Sequence, residues 1–534
     1  MNDNSESFFF NFVHGSGKIH LIKDDYLRDK DRERDFKSIR KIYDIRPKTE
    51  YSLDNQSFDD LDLNRVYTKI DKTYTSAGES SLYALLRNVT IDEDTLNKRD
   101  KLINFLKENE TERIKLQLLY FNMGFDTKNS FVDMLETYLK ISKWKYYLYT
   151  FLGKFLMPLS LILILIYREP IYFLAFCILI WINGSINMFE GKNVKDKGLL
   201  YLRKLIVVAK KISHFRIPQL ADYQSTIENI LDKLKIIDKG TRIFGLSYKF
   251  EGIFEMISVP FLLEETAYYK LSSELKDKKD LILDLYYLVG EIEAFISVSS
   301  YKTSMDKLCS SPKFSKETSL NICEGIHPLV GTPVANSINI NKHGIILTGT
   351  NMSGKSTFLR MLGINIVFAQ TFNFVLAKSY ECCFFNVVSS ISPKDDVEQG
   401  KSYYLSEAES ILRIIKATDK PIAVFSAIDE IFRGTNPIER ISASAEILKY
   451  INSKGAISIV ATHDRELADI LKDNYDFFYF SESVDSKDGL SFDYKLKKGV
   501  SQTKNAIKLL NYIGYPKEIV ENSYKRANDI EGFI

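Results

Sequence analysis

Hydrophobic and polar positions divide the chain into three regimes. From Asp60 to about Phe105, and again from about residue 200 to 310, apolar residues return at helical spacing, with a helix start at Ser76-Ala77-Gly78-Glu79. Asp280 to Tyr301 reads as a long amphipathic helix, a lever, and Phe254-Glu255 within GIFEMI reads as helical core packing. Between these blocks, Tyr146 to Tyr167 carries only Lys154 as a charge, and Ile171 to Phe189 carries none. The second run is about 28 Å long as a helix, close to the ~30 Å of hydrocarbon in a bilayer. Leu159 to Ile166 is apolar all round rather than on one stripe, which predicts a membrane hairpin instead of a soluble helix pair. From about His327 onward, short apolar runs alternate with helical patterns: Ile338 to Ile340, Ile345 to Thr348, a helix from Lys355, a strand near Cys382 to Ser389, a helix from Ser406, then Ile422 to Glu430 and Ile457 to His463. Such alternation predicts a mostly parallel sheet with helices on both faces. Lys495 to Asn528 reads as a strand, a turn at Gly499 and two helices.

The expected organisation is a polar, helical segment at 1–59, a first part of a helical core at 60–145, a transmembrane hairpin at 146–190, further core and levers at 191–320, and an α/β domain at 321–534. Lys143 and Lys145 precede the hairpin, and Lys192, Lys195, Lys197, Arg203, Lys204, Lys210 and Lys211 follow it. The excess of positive charge predicts that both flanks, both termini and the α/β domain lie in the cytoplasm, with lipid touched by residues 146–190. Phe8 to Val13 is too short an apolar run, and lacks the basic start, for a secretory signal. The alternating charges from Lys23 to Arg46 read as a solvated helix face.

Candidate chemistry gathers in the α/β stretch. Gly349-Thr350-Asn351-Met352-Ser353-Gly354-Lys355-Ser356 fits GxxxxGK[ST] between a strand and a helix, the α/β P-loop NTPase arrangement in which backbone N–H groups and a helix N-terminus hold phosphate. Lys355 then reaches the β- and γ-phosphates of ATP, and the Ser356 hydroxyl ligates Mg²⁺. Asp429 and Glu430 close an apolar strand, Asp429 for the metal and Glu430 to polarise the attacking water. His463 closes the next apolar strand, placed to sense the γ-phosphate or fix the water.

Composition changes this picture little. Lys+Arg 72 against Asp+Glu 70 leaves a net charge of +2, so any contact with nucleic acid must be local. Cys177, Cys309, Cys323, Cys382 and Cys383 form no C-x-x-C pair, which favours plain packing in a reducing compartment.

Taken together, these residues resemble the ATPase domain of the DNA mismatch-repair MutS family. Thr348 to Thr357, TGTNMSGKST, is similar to its phosphate loop, with Asn351 and Met352 in the family's places. Ile428 to Thr435 resembles its metal strand and following RGT turn, and Ala461-Thr462-His463 its switch histidine. Gly400-Lys401-Ser402-Tyr403-Tyr404 with Glu407 resembles the family's signature segment, tyrosines standing where Thr-Phe is usual. Val334 to Ile340, with Asn336, resembles its adenine-side strand, although Pro333 stands where an aromatic would stack. Thr73 to Gly78 and Leu82 to Arg87 look like the start of its helical core.

The resemblance covers the last two hundred residues closely and about 60 to 105 more loosely. It implies paired ATPase domains in a homodimer, with Ser402 of one subunit donating to the nucleotide of the other. It implies hydrolysis of ATP with Mg²⁺, and it brings DNA in as a partner. The first sixty residues hold no text like the family's mismatch-reading domain, and an apolar hairpin interrupts the core. The reading is therefore a membrane-anchored MutS-like ATPase acting on DNA structure or mismatch-type DNA. Two alternatives stay open: a component of an ATP-driven membrane transporter, and an ATP-switched scaffold without DNA binding.

Overall fold

A computed structural model of the chain describes residues 16–30, 32–45, 48–126, 130–136, 142–195, 198–250, 252–341, 343–350, 352–391, 403–433, 436–485, 489–500 and 506–531. The chain forms two compact units, one of Met1–Pro47, Ile70–Leu85 and Lys101–Thr303, the other of Lys48–Lys69, Leu86–Asp100 and Ser304–Ile534. The stretch 60–145, expected as one piece of helical core, is thus divided between them.

The first unit is helical. Its centre is Lys279–Ser304, which the sequence suggested as an amphipathic lever; instead it is buried on nearly every side from Ile282 to Tyr301. Small residues make that possible: Gly290 lies so close to Ala77 and Ser81 that a Cβ there would overlap the Ala77 carbonyl. Glu293, on the same helix, is buried and accepts hydrogen bonds from the Tyr74 N–H and the Thr75 hydroxyl. Burial pushes its carboxyl up to about 8.

The charge run at Lys23 to Arg46 also departs from expectation. Part of it folds inward rather than onto a solvated face: Arg34 Nε lies 2.8 Å and Arg32 Nη2 2.7 Å from Asp71, whose side chain is wholly buried. Lys30 Nζ donates to the Lys72 carbonyl at 2.9 Å. Charge alternation is blind to which carboxylate waits elsewhere in the chain, and Asp71 supplies the pairing that makes burial affordable.

Two helices of this unit, Lys143–Tyr167 and Pro170–Glu190, are long and apolar enough to cross a membrane, and little of each is buried. Phe155, Leu165, Phe173, Trp181 and Phe189 all stand on the surface. Arg168, in the left-handed region at φ 53°, reverses the chain between them. The GIFEMI stretch is a further correction. It forms the short helix Ile253–Phe261, but Ile253 is 72% exposed, Met256 78% and Ile257 55%, so this face is not core.

The second unit is α/β. Its strands are β1 (Lys313–Phe314), β2 (Leu320–Gly325), β3 (Asn336–Ile340), β4 (Gly344–Thr348), β5 (Ser379–Cys382), β6 (Asn386–Ser390), β7 (Val424–Asp429), β8 (Ile457–Ala461), β9 (Tyr475–Tyr479), β10 (Glu482–Asp485), β11 (Gly489–Phe492) and β12 (Lys497–Lys498). The main sheet has the order β12-β9-β4-β8-β7-β6, parallel from β9 to β6 with β12 antiparallel at one edge. β4, β6 and β8 are buried throughout, which is why they read as unbroken apolar runs. Helices Tyr403–Ala417 and Pro437–Ser453 cover one face through Ile411, Ile414, Leu448 and Ile451, which pack on Ile346, Ile428 and Val460. Helix Lys355–Phe372, buried along nearly all its length, covers the other.

A smaller mixed sheet, β1-β5-β2-β3, and the hairpin β10-β11 flank the main sheet. The single strand expected near Cys382 to Ser389 is in fact two, β5 and β6, in different sheets. The non-helical linker at Cys383–Phe385 moves the chain between them.

Candidate functional site

The site is built where β4, β7 and β8 end on the same edge of the parallel sheet, the edge at which α/β folds gather ligands. β4 hands the chain to a loop framed by Gly349 (φ 143°) and Gly354 (φ 107°), which opens the helix Lys355–Phe372. Both positions disfavour a side chain: a Cβ on Gly349 would lie 2.8 Å from the Phe480 carbonyl oxygen, and one on Gly354, tight but less so, 3.2 Å from the Tyr494 ring. Met352, also at positive φ, stands exposed at the loop's tip, while Ser353 is buried.

Lys355 turns back into the loop, its Nζ donating to the Gly349 carbonyl at 2.7 Å and to the Thr350 carbonyl at 2.9 Å. Burial lowers its pKa, with Asp429, Glu430 and Glu482 pulling the other way. The neighbouring Ser356 hydroxyl donates to Asp429 Oδ2 at 2.5 Å, joining the helix start to the tip of β7. Thr350 donates to Glu482 on β10.

Glu430 follows directly, in the left-handed region at φ 66°, a costly conformation for a residue with a Cβ. Its N–H donates to the Ala461 carbonyl at 2.8 Å, and the carboxylate lies 2.8 Å from Arg433 Nε and 3.2 Å from His463 Nε2. The geometry therefore aims Glu430 sideways between the ends of β7 and β8. Burial lowers the pKa of His463, with the Lys355 ammonium adding to the effect, so the imidazole is neutral near pH 7.

Around this centre Arg433 is held in turn: its Nη2 donates to the Asp429 carbonyl at 2.7 Å and its N–H to Glu407 Oε2 at 3.0 Å. Arg440 grips Asp464, the residue after His463, through two bonds of 2.9 and 2.5 Å.

Beside the loop lies a cavity of about 330 Å³ lined by Pro333, Asn336, Gly354, Thr357, Phe358 and Tyr494, among others. Asn336 acts there as a brace: its Nδ2 donates to the Tyr494 carbonyl at 2.9 Å and its Oδ1 accepts from the Leu496 N–H at 2.8 Å. Tyr494, at φ 52° and stacked on Phe492 at 5.6 Å, supplies an aromatic wall on the side that Pro333 leaves without one. Sequence reading missed Tyr494, Glu482 and the Arg440–Asp464 pair. An aromatic beside the closing strand was the one available signal for Tyr494.

Of the residues singled out in the sequence, Gly349, Thr350, Met352, Ser353, Gly354, Lys355, Ser356, Thr357, Asp429, Glu430 and His463 are gathered at this edge, with Asn336 across the cavity. Asn351 and Ser402 lie outside the described residues, as do Gly400, Lys401, Gly434 and Thr435.

Fold and site together define a class: an α/β domain organised on a glycine-framed strand-to-helix loop, with carboxylates and a histidine on the neighbouring strand tips. Residues 345–531 match the family model of MutS domain V. The chain is 31% identical over 279 residues to the DNA mismatch repair protein MutS of Petrotoga mobilis, covering 49% of this chain and 33% of that protein. It is 29% identical over 348 residues to the protein of the same name from Fusobacterium nucleatum, covering 62% and 35%. With the Aquifex pyrophilus protein the identity is 28% over 279 residues, 51% and 32%. The likeness to MutS thus centres on residues 345–531, and the match spans about a third of the length of these relatives.

Proposed function

We propose that this chain is a membrane-anchored MutS-like ATPase with a P-loop nucleotide site, switching a helical unit that engages DNA. The observation that carries the reading is the meeting of Lys355, the Ser356–Asp429 pair, Glu430 and His463 at one loop mouth. These residues suit a magnesium nucleotide. Ser356 and Asp429 form a pair of hard oxygen donors, and the loop's two glycines let main-chain amides approach a polyphosphate. Mg²⁺ held by that pair would neutralise charge on the β- and γ-phosphate oxygens.

Lys355 exchanges its two loop carbonyls for phosphate oxygens. Glu430 takes the role of water-polarising base, its carboxylate fixed by Arg433, and the neutral His463, with a single N–H, can pass that donor from Glu430 to a phosphate or a water. The cavity edged by Asn336 and Tyr494 receives base and ribose. By the family relationship, a second copy closes the site through Ser402, making the working form a homodimer.

The exposed apolar helices Lys143–Tyr167 and Pro170–Glu190 are read as a lipid-spanning hairpin, with the basic flanks placing the nucleotide site in the cytoplasm. DNA enters from the relatives, which are DNA mismatch repair proteins by name, and one feature of the helical unit supports it. A broad groove lined by Lys115, Lys210, Lys211, His214 and Arg216 among others, its one carboxylate Glu112 paired with Lys115, suits a phosphate backbone. The groove lies at the far end of Leu199–Ser213, about 20 Å along the helix from its hairpin-side start.

Equilibrium ATP binding by the full chain in lipid nanodiscs tests the core of the reading. Lys355→Ala should weaken binding about 10- to 100-fold, the loss of charge-assisted bonds to phosphate, and unchanged affinity would refute it. Binding of duplex, mismatched and branched DNA at two salt concentrations tests the second part. Steep salt dependence, reduced by Lys211→Ala with Arg216→Ala, is the expected result. Absent or salt-insensitive binding leaves an ATP-switched scaffold.

A further inference from the structure

The hairpin does not stand by itself. Helix Ile253–Phe261 is set off from its neighbours by two breaks, Gly252 at φ 84° and Leu262 at φ 48°, and it packs against both apolar helices. Contacts at three levels, on this helix and on Leu263–Asp277 after it, fix its depth. Lys145 and Glu190, near the polar ends of the two long helices, form an ion pair that Tyr269 joins through its hydroxyl. One turn further in, Asn187 Nδ2 donates to Glu265 at 2.5 Å. Further still, the fully buried Asn183 donates to the Pro260 carbonyl at 2.6 Å, and Gly153 on the other long helix lies directly against the Phe261 carbonyl.

Asn183 precedes Glu190 by seven positions and Gly153 follows Lys145 by eight, so both place Pro260–Phe261 about 10–12 Å beyond the Lys145–Glu190 pair. The chain then climbs back along Leu263–Asp277, through Glu265 and Tyr269. On the way in, Tyr248 receives the Lys204 ammonium over its ring at 5.0 Å, and Phe250 that of Lys249 at 5.5 Å. Aromatics joined to cations in this way sit well at a headgroup boundary.

We propose that Ile253–Phe261 is a re-entrant membrane helix, entering and leaving the bilayer on the cytoplasmic side, with Ile253, Met256 and Ile257 in contact with acyl chains. The proposal rests on the membrane reading of the hairpin. Its occupant is lipid because the exposed face continues the apolar surface of the two long helices. An amide-to-carbonyl bond such as Asn183–Pro260 is what a helix broken within hydrocarbon needs to satisfy a carbonyl beside a proline. Hydropathy misses the segment because, at nine residues, it is too short to span.

The test uses the full chain in lipid nanodiscs, with Cys309, Cys323, Cys382 and Cys383 changed to Ser and one nitroxide label per protein. Native Cys177, exposed on the second long helix, reports the hairpin. Met256→Cys and Lys239→Cys, each with Cys177→Ala, report the short helix and an aqueous control; both native side chains are exposed, so the fold tolerates the change. Collision with oxygen and with a water-soluble nickel chelate is measured. At position 256 nickel accessibility should be lost and oxygen accessibility should match Cys177, while position 239 shows the reverse. A position 256 as open to nickel as 239, with Cys177 shielded, overturns this inference alone. Shielding of 256 from both reagents means that protein covers the face, which also overturns it. A nickel-accessible Cys177 overturns the membrane reading and the inference together.

Discussion

At the scale of single residues, two side chains carry unusual constraints. Glu430 sits at positive φ, a cost of about 1–3 kcal/mol that the surrounding bonds to Ala461, Arg433 and His463 must offset. Gly354→Ala would impose a similar cost at the loop and press on Tyr494. Thermal unfolding should show a loss of about 1–3 kcal/mol, and ATP binding should fall with it. His327 offers a pH signature. Burial, with Arg360 and Arg65 adding, pushes its pKa down to about 4, and its Nδ1 accepts from the Leu329 N–H at 3.2 Å. A folded-state pKa below the unfolded one gives stability that is present above about pH 6.5 and is lost as pH falls through about 4. The full effect is about 3 kcal/mol. His327→Asn, which keeps an acceptor for Leu329, should flatten the fall in stability between those limits; an unchanged slope would contradict this assignment.

At the scale of elements, what was legible depended on whether a residue's neighbours lie near it in sequence. β4, β7 and β8 announced themselves because strands buried on both faces must be apolar throughout, and the loop announced itself because the positive φ at 349 and 354 favours glycine. Lys279–Ser304 did not, since its polar positions, Glu293 and the serines, are satisfied inside the core by distant partners such as Tyr74 and Ile70. The Lys30–Arg34 segment and the helix at 253–261 were misread for the same reason, one finding Asp71 and the other the apolar helices. Gly153 makes a direct prediction. Any side chain there meets the Phe261 carbonyl, so Gly153→Leu should displace the short helix and cost about 1–3 kcal/mol. Thermal unfolding in detergent reads that cost, and full tolerance would mean the contact does not form.

At the scale of the whole molecule, the proposed function is an ATP-driven change of assembly at a membrane. In the proposed function a second copy of the chain completes the site. Sedimentation of the nanodisc-free protein in mild detergent should show ATP, but not ADP, shifting Glu430→Gln toward dimers, since that variant is expected to hold its substrate uncleaved. A monomer under all conditions would argue for a site that works alone. The most direct measurement is steady-state hydrolysis of Mg·ATP by the membrane-reconstituted chain and by Glu430→Gln, with ATP binding followed in parallel. The account predicts that the variant binds ATP as the parent does and hydrolyses it about 10²- to 10⁴-fold more slowly. Equal hydrolysis by the two proteins would contradict it.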